Sequence, residues 1–279
     1  MIQDIYPLKL NNQYLSDIMP DSDSIVFHFR DKDILCQDNP EKPFPFYEDF
    51  TIPDNLIYLF SIGERKYFLL RDSVIVIPQG FDYIDVKQFR RMNSINRADI
   101  LALATAYHLS EWYNNNRFCG KCGGITTDDR NERALKCTFC GKIVYPRINP
   151  AVIVGVTDGN KLLITRYTAS RGVNYDALIA GFTEIGETLE ETVSREVMEE
   201  VGLKVKNIHY YKSQPWGYSG CILAGFYCEA DGNTDITLDK SELGSAEWVE
   251  RENIIGQPDD FSLTNEMMIN FKNNQYSNS

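Results

Sequence analysis

The sequence predicts a mixed α/β protein, on three observations. Short apolar runs of strand length recur on either side of segments with helical spacing. Four cysteines stand in mid-chain as two close pairs. At 279 residues, with 43% hydrophobic and 12% aromatic content, the chain is globular and long enough for two packed domains and a small module. The divisions expected are an N-terminal α+β domain over 1–112, a cysteine module over 113–147 and a C-terminal domain over 148–279.

In the first division, apolar runs at 25–29, 56–60, 67–70 and 74–77 read as strands, and 38–45 is a proline-rich loop. The more polar 85–92 reads as a short helix. His28 and Cys36 stand alone among apolar residues and read as packed side chains. No catalytic motif occurs here. From Arg97 to about Trp112, Ile100, Leu103 and Tyr107 keep helical spacing, and the helix should end in the Asn114-Asn115-Asn116 run.

Cys119-Gly-Lys-Cys122 and Cys137-Thr-Phe-Cys140 follow, fourteen residues apart. Two C-x2-C knuckles at this separation supply four thiolates for a tetrahedral Zn²⁺, and glycines at 120, 123 and 141 suit the turns. The rival, a redox dithiol, does not need two pairs. A closed four-cysteine site has no open position, so the zinc is structural. The module from Arg117 to Arg147 mixes both signs of charge and shows no aromatic row for base stacking.

In the last division, 151–157 and 161–167 read as a hairpin around Asp158-Gly159-Asn160. Residues 175–180 lead into Gly181–Leu203, GFTEIGETLEETVSREVMEEVGL. There the glycines at 181 and 186 make a turn, Leu189, Val193 and Val197 make a helical stripe, and Gly202 stops it. Strands at 204–212, 222–229 and 246–249 and a closing helix at 261–272, capped by Ser262 or Thr264, complete the division.

Glu196, Glu199 and Glu200 fall within an arc of roughly 100° near the C-terminal end of that helix. They repel one another where the helix dipole also disfavours anions. Such a face suits hard divalent cations, which take oxygen ligands and bridge phosphates. The alternative is a solvated acidic helix, which leaves the glycine turn before it unexplained.

The formal charge of −12 gives no field that attracts a polyanion. No apolar run has the length of a bilayer span, and the first residues lack a basic stretch followed by an apolar one. A cytoplasmic protein is expected. Seven cysteines, three of them scattered, fit metal binding in a reducing compartment better than a disulfide framework.

Gly181, five residues, Glu187, seven residues, then Arg195-Glu196-Val197-Met198-Glu199-Glu200-Val201-Gly202-Leu203 resembles the Nudix box. The resemblance implies an α/β/α sandwich that hydrolyses a nucleoside diphosphate linked to another moiety. A four-cysteine ribbon, then the box, then Ser213-Gln214-Pro215-Trp216 is similar to the NADH pyrophosphatase family. That family implies hydrolysis of NADH or NAD to nicotinamide mononucleotide and AMP, in some members removal of NAD caps from RNA, and a homodimer. It also implies Mg²⁺ or Mn²⁺ on Glu196, Glu199 and Glu200, with Glu242 and the Ala180 carbonyl as further ligands. Phe182 and Tyr145 would hold the nicotinamide, Glu132 would touch substrate, and Gln214 to Cys221 would form the substrate loop.

The loop departs from the family's S-Q-P-W-P-F-P-x-S. Gly217, Tyr218, Ser219, Gly220 and Cys221 lose both later prolines and the final serine, which predicts a looser loop. Thr264 stands where the family has a substrate-contacting alanine. For mechanism, Glu200 is the first choice for ligand and base and Glu199 the second, while Glu187 and Arg195 form a bracing ion pair. Two other readings are a preference for ADP-ribose, a dinucleoside polyphosphate or an NDP-sugar, and a ligand sensor without turnover.

Overall fold

Apolar residues on both sides of a single strand decide the C-terminal architecture. The computed structural model describes residues 1–51, 55–71, 74–92, 95–168 and 175–276. It divides into two compact units: Ile2–Arg147 with Trp216–Gly220, and Met1 with Ile148–Pro215 and Cys221–Ser279. The cysteine module thus shares a unit with the N-terminal region.

In the N-terminal unit, β1 (Leu10–Asn11), β2 (Ile25–Phe27), β5 (Leu56–Ile62) and β6 (Arg65–Leu70) form a sheet ordered β1-β5-β6-β2. A second sheet orders β3 (Phe29–Arg30), β4 (Asp33–Cys36) and β7 (Asp82–Asp85) as β3-β4-β7. α1 (Val86–Phe89) is capped by Asp85, and α2 (Arg97–Asn115) is capped by Asn96. Ile25, Phe27, Leu59, Phe60, Leu103 and Tyr107 meet in one core, to which Leu135 of the cysteine module also belongs. His28 and Cys36 are buried, as expected. The expected strand at 74–77 does not form. Val74 and Val76 stand in solvent at 105% and 91% exposure, while Ile75 packs against the Val26, Tyr58, Phe68 and Leu70 cluster, so the run is anchored by one side chain but has no sheet partner among the described residues. The cysteine module is a small sheet, β10 (Ile143–Val144), β9 (Leu135–Cys137) and β8 (Thr126–Asp128), in that order.

In the other unit, β11 (Asn149–Asp158) runs parallel to β15 (Cys221–Ala230) and antiparallel to both β12 (Lys161–Tyr167) and β13 (Ile179–Phe182). β14 (Val205–Trp216) and β16 (Leu243–Glu250) complete the order β14-β15-β11-β12-β16, with β13 on β11. The side chains of β11 alternate. Val152, Val154 and Val156 pack with Val193, Val197 and Val201 of α3 (Leu189–Val201), while Ile153 packs with Leu263, Met267 and Phe271 of α4 (Leu263–Lys272). Leu163 against Leu162 and Ile164, and Phe226 against Tyr227, divide between the faces in the same way. A sheet covered on both faces needs near-continuous apolar strands, which explains the run Ala151-Val-Ile-Val. The result is the expected α/β/α sandwich. Ser262, not Thr264, caps α4 by accepting the Asn265 N–H at 3.0 Å.

Candidate active site

The box turn and α3 are held by their own polar side chains. Thr188 Oγ1 accepts the Glu191 N–H at 3.2 Å and the Glu191 carboxylate accepts the Thr188 N–H at 2.8 Å, a capping box. Gly202 closes the helix at φ 72°. β13 carries Ala180, Gly181 and Phe182 past this helix. A Cβ on Gly181 would fall 1.9 Å from Glu196 Cδ, so glycine lets the strand lie over that carboxylate without displacing it.

Arg195 is the hub of the site. Its guanidinium donates to both Glu187 oxygens at 2.6 and 2.9 Å, to Glu196 at 2.7 Å, to Glu199 at 2.9 Å and to the Phe182 carbonyl at 2.9 Å. The expected Glu187–Arg195 brace is present and ties the loop to the helix. Arg195 and the Glu184 N–H hold Glu187 down at about 2, and Glu187 chiefly, with Glu196 and Glu199, pushes Arg195 up. The link from Arg195 to Glu196 and Glu199 was missed from the sequence, although the i,i+4 spacing to Glu199 signalled it.

The three box glutamates do not form one evenly open face. Glu200 is 3% exposed, the Glu196 side chain 12% and the Glu199 side chain 58%. An arc of 100° on this helix reaches from the core flank to solvent. Among the described residues, the four cysteines are the one group of His, Cys, Asp and Glu ligand atoms drawn within 4.8 Å of one another. The glutamates are more widely spread, two of them on Arg195.

A divalent cation nevertheless fits these residues. Burial raises the Glu196 carboxyl above its usual range, Arg195 opposes that, and the Glu199 and Glu242 carboxylates raise it further. Glu242 therefore acts on Glu196 although it is 46 positions away in sequence. Oxygen-rich carboxylate sets of this kind take hard divalent metals.

The ribbon's thiols are arranged for zinc. Cys119 and Cys140 Sγ are 3.7 Å apart, and Cys122 and Cys137 Sγ 3.5 Å. A tetrahedron with Zn–S bonds of about 2.3 Å has edges of about 3.8 Å. The knuckles match each other. Gly123 donates its N–H to the Cys119 carbonyl and Gly141 to that of Cys137, both at positive φ. The N–H groups of Cys140 and Phe139 point at the Cys137 sulfur and lower its pKa to about 6, which favours the metal-binding thiolate. The cysteines form no disulfide.

Of the other candidates, Glu132 and Tyr145 come together in the N-terminal unit, with the Tyr145 hydroxyl donating to Glu132 Oε1 at 2.8 Å. Tyr145 and Phe182 are each 55% exposed, so neither is a core aromatic. Trp216 is partly buried, edge-on to Tyr218, with Arg90 5.0 Å from its ring centre. Pro215 and Ser219 are exposed, Gly220 is half-buried at φ 67°, and Thr264 is half-buried on the first turn of α4.

One expectation for the loop, its looseness, needs correction. The Gln214 side chain is fully buried; its amide donates to the Phe261 carbonyl and accepts the Leu263 N–H, each at 2.8 Å, and so braces the start of α4. Cys221 is likewise buried, at 4% exposure. The loop is not slack. Residues Gly217–Ser219 make a 3₁₀ turn, Tyr218 packs against the N-terminal core, and a Cβ on Gly217 would lie 1.9 Å from the Ala104 carbonyl oxygen of α2. The missing Cβ lets the backbone seat on the helix, so glycine here tightens the turn.

Among the described residues no helix is long and apolar enough to cross a membrane. The NUDIX domain profile matches residues 147–269, and the NADH pyrophosphatase zinc ribbon domain profile matches residues 114–145. The chain is 34% identical over 213 residues to a protein of Haemophilus influenzae (strain PittEE) named NAD-capped RNA hydrolase NudC, covering 75% of this chain and 78% of that one. A protein of the same name from Klebsiella pneumoniae (strain 342) is 42% identical over 148 residues, 52% of this chain and 56% of its own. With the box, the ribbon and the sandwich accounted for, the chain belongs to the Nudix hydrolases, in the NADH pyrophosphatase family that carries a zinc ribbon.

Proposed function

We propose that the protein hydrolyses the diphosphate bond of NADH or NAD to nicotinamide mononucleotide and AMP, and that it accepts NAD-capped RNA. The observation that carries this reading is the similarity to the Haemophilus protein, which runs through most of both chains. Glu196, Glu199, Glu200, Glu242 and the Ala180 carbonyl are the proposed holders of Mg²⁺ or Mn²⁺. When bound, that metal supplies positive charge to the diphosphate oxygens and to the leaving phosphate. Glu200, buried at the end of α3, accepts the proton of the attacking water, with Glu199 the alternative base. Arg195 positions Glu196 and Glu199 through its two hydrogen bonds. Phe182 offers an exposed ring for the nicotinamide, and Tyr145 and Glu132 offer a hydrogen-bonded pair to substrate. The zinc is proposed as structural, and the working form as a homodimer.

A second reading rests on the altered 217–221 stretch: the preferred substrate is ADP-ribose, a dinucleoside polyphosphate or an NDP-sugar. Comparing kcat/KM for NADH, NAD, ADP-ribose and a diadenosine polyphosphate, with products identified, separates the two. AMP with nicotinamide mononucleotide as the fastest products supports the first. No nucleotide product from any dinucleotide, ADP-ribose or NDP-sugar with Mg²⁺ or Mn²⁺ overturns both readings and favours a sensor.

A further inference from the structure

The ribbon is charged against the rest of the molecule. From 117 to 147 it carries seven lysines and arginines and three acids, a net +4 in a chain of −12, leaving −16 for the remainder. Lys121, Arg130, Lys136 and Lys142 are exposed, and none forms an ion pair among the described residues. Whole-chain charge hides this, because the acids are elsewhere.

The same module exposes rings that a globular protein ordinarily buries. Phe118 is 65% exposed, Ile125 61% and Phe139 83%, and the fold makes them neighbours. Phe118 and Ile125 are bridge partners. Thr138 donates both its N–H and its hydroxyl to the Ile125 carbonyl, each at 2.9 Å, which brings Phe139 alongside. A Cβ on Gly124 would fall 2.9 Å from Phe139 Cβ, so the strand lies close under that residue. The same small module carries the cations. Lys121 and Phe139 hold equivalent places in the two knuckles, each donating its N–H to a cysteine sulfur at 3.4 Å. On the sheet, Lys136 lies directly opposite Ile143, both exposed. The sequence suggested no aromatic row because these residues lie far apart along it; the knuckles and the Phe118–Ile125 bridge assemble them.

Flat rings fixed by a stapled scaffold, with unpaired cations in the same module, match the chemistry of a single nucleic-acid strand, whose bases stack while its phosphates are neutralised. We propose that this face of the zinc ribbon binds the single-stranded body of the capped RNA, with bases on Phe118 and Phe139 and phosphates on Lys121, Lys136 and Lys142. The inference rests on the reading that capped RNA is a substrate, but its test does not depend on hydrolysis.

The zinc-loaded full chain is titrated into a labelled unstructured RNA of about 12 nucleotides, within the range such platforms cover, and anisotropy is read at several salt concentrations. Phe118→Ala and Phe139→Ala should each weaken binding about tenfold. Lys121→Ala with Lys136→Ala should lower the slope of log K against log salt by roughly 1.4. NADH hydrolysis and zinc content should stay at wild-type levels. RNA affinity unchanged in all variants, or equal binding of a duplex, overturns the proposal. So does a changed sedimentation coefficient, which would make the face an interface between copies. If Phe139→Ala loses zinc, the lysine pair and its salt slope decide. RNA bound through this face by a protein that does not cleave NADH would sink the diphosphatase reading alone, whereas NADH cleavage without RNA binding would sink this inference alone.

Discussion

Gly181 leaves no room for a side chain while Glu196 keeps its place, because the Glu196 carboxylate occupies the space a Cβ would fill. Gly181→Ala must push the carboxylate aside, and a displacement near 1 Å at a catalytic group costs on the order of 10²-fold. We expect kcat to fall by that order while the circular dichroism spectrum is retained. A variant with wild-type turnover would show that the position of Glu196 does not matter. Glu200→Gln tests a different point. It removes the proposed base but also a buried anion at the negative end of a helix dipole. Turnover should drop by orders of magnitude while the melting temperature holds or rises; wild-type kcat would shift the base to Glu199. Away from the site, Asp99 is 5% exposed in α2, and burial pushes it up to about 6, with Arg65 and Asn96 pulling it back. Its reference value is 3.8, so the folded state holds the proton more tightly than the unfolded chain does. Stability from this group is therefore greatest at low pH and declines between about pH 4 and 6, by up to about 3 kcal/mol. In urea titrations, Asp99→Asn should lack that decline, and an unchanged pH profile would refute it.

At the scale of elements, the 217–219 turn shows how a substitution that appears to loosen a loop can do the reverse. Gly217 allows the turn to approach α2 within contact of the Ala104 carbonyl. Gly217→Ala should overpack that contact and cost roughly 1–3 kcal/mol, measurable as a lower urea midpoint with unchanged m-value. An equal midpoint would mean the turn lifts off freely. Much of each element was legible. The apolar runs gave the sandwich strands other than β13, and the helical stripes gave α2, α3 and α4, to within a few residues; Gly202 marked the end of α3, and the cysteine spacing gave the knuckles. The strand expected at 74–77 is absent because an apolar run becomes a strand only when another strand offers it hydrogen bonds, and none does among the described residues. The brace that Gln214 gives to the start of α4 is not legible in the sequence, because its partners Phe261 and Leu263 lie 47 and 49 positions away.

At the scale of the molecule, the ribbon shares its core with the N-terminal region. Leu135 and Val144 pack with that region's apolar residues, whereas the sandwich has two cores of its own, one on each face of its sheet. Stripping the zinc should therefore unfold the ribbon and weaken the Ile2–Arg147 unit while leaving the sandwich folded. In limited proteolysis after chelation, the first cuts should fall within 117–147, and a fragment covering 148–279 should survive. Simultaneous loss of both units would show that one cooperative fold depends on the metal.

The sequence alone determined the family, the clustering of the four cysteines, the box glutamates and the Glu187–Arg195 brace, because each depends on local spacing that a helix or a tight turn converts directly into geometry. The tertiary structure decided what spacing cannot express. It set which glutamate is buried and which faces solvent, placed Glu242 where its charge acts on Glu196, and stapled Phe118, Ile125 and Phe139 into one exposed patch. Burial and electrostatic proximity arise from contacts between residues distant in the chain, and those exist only once the sheets have packed.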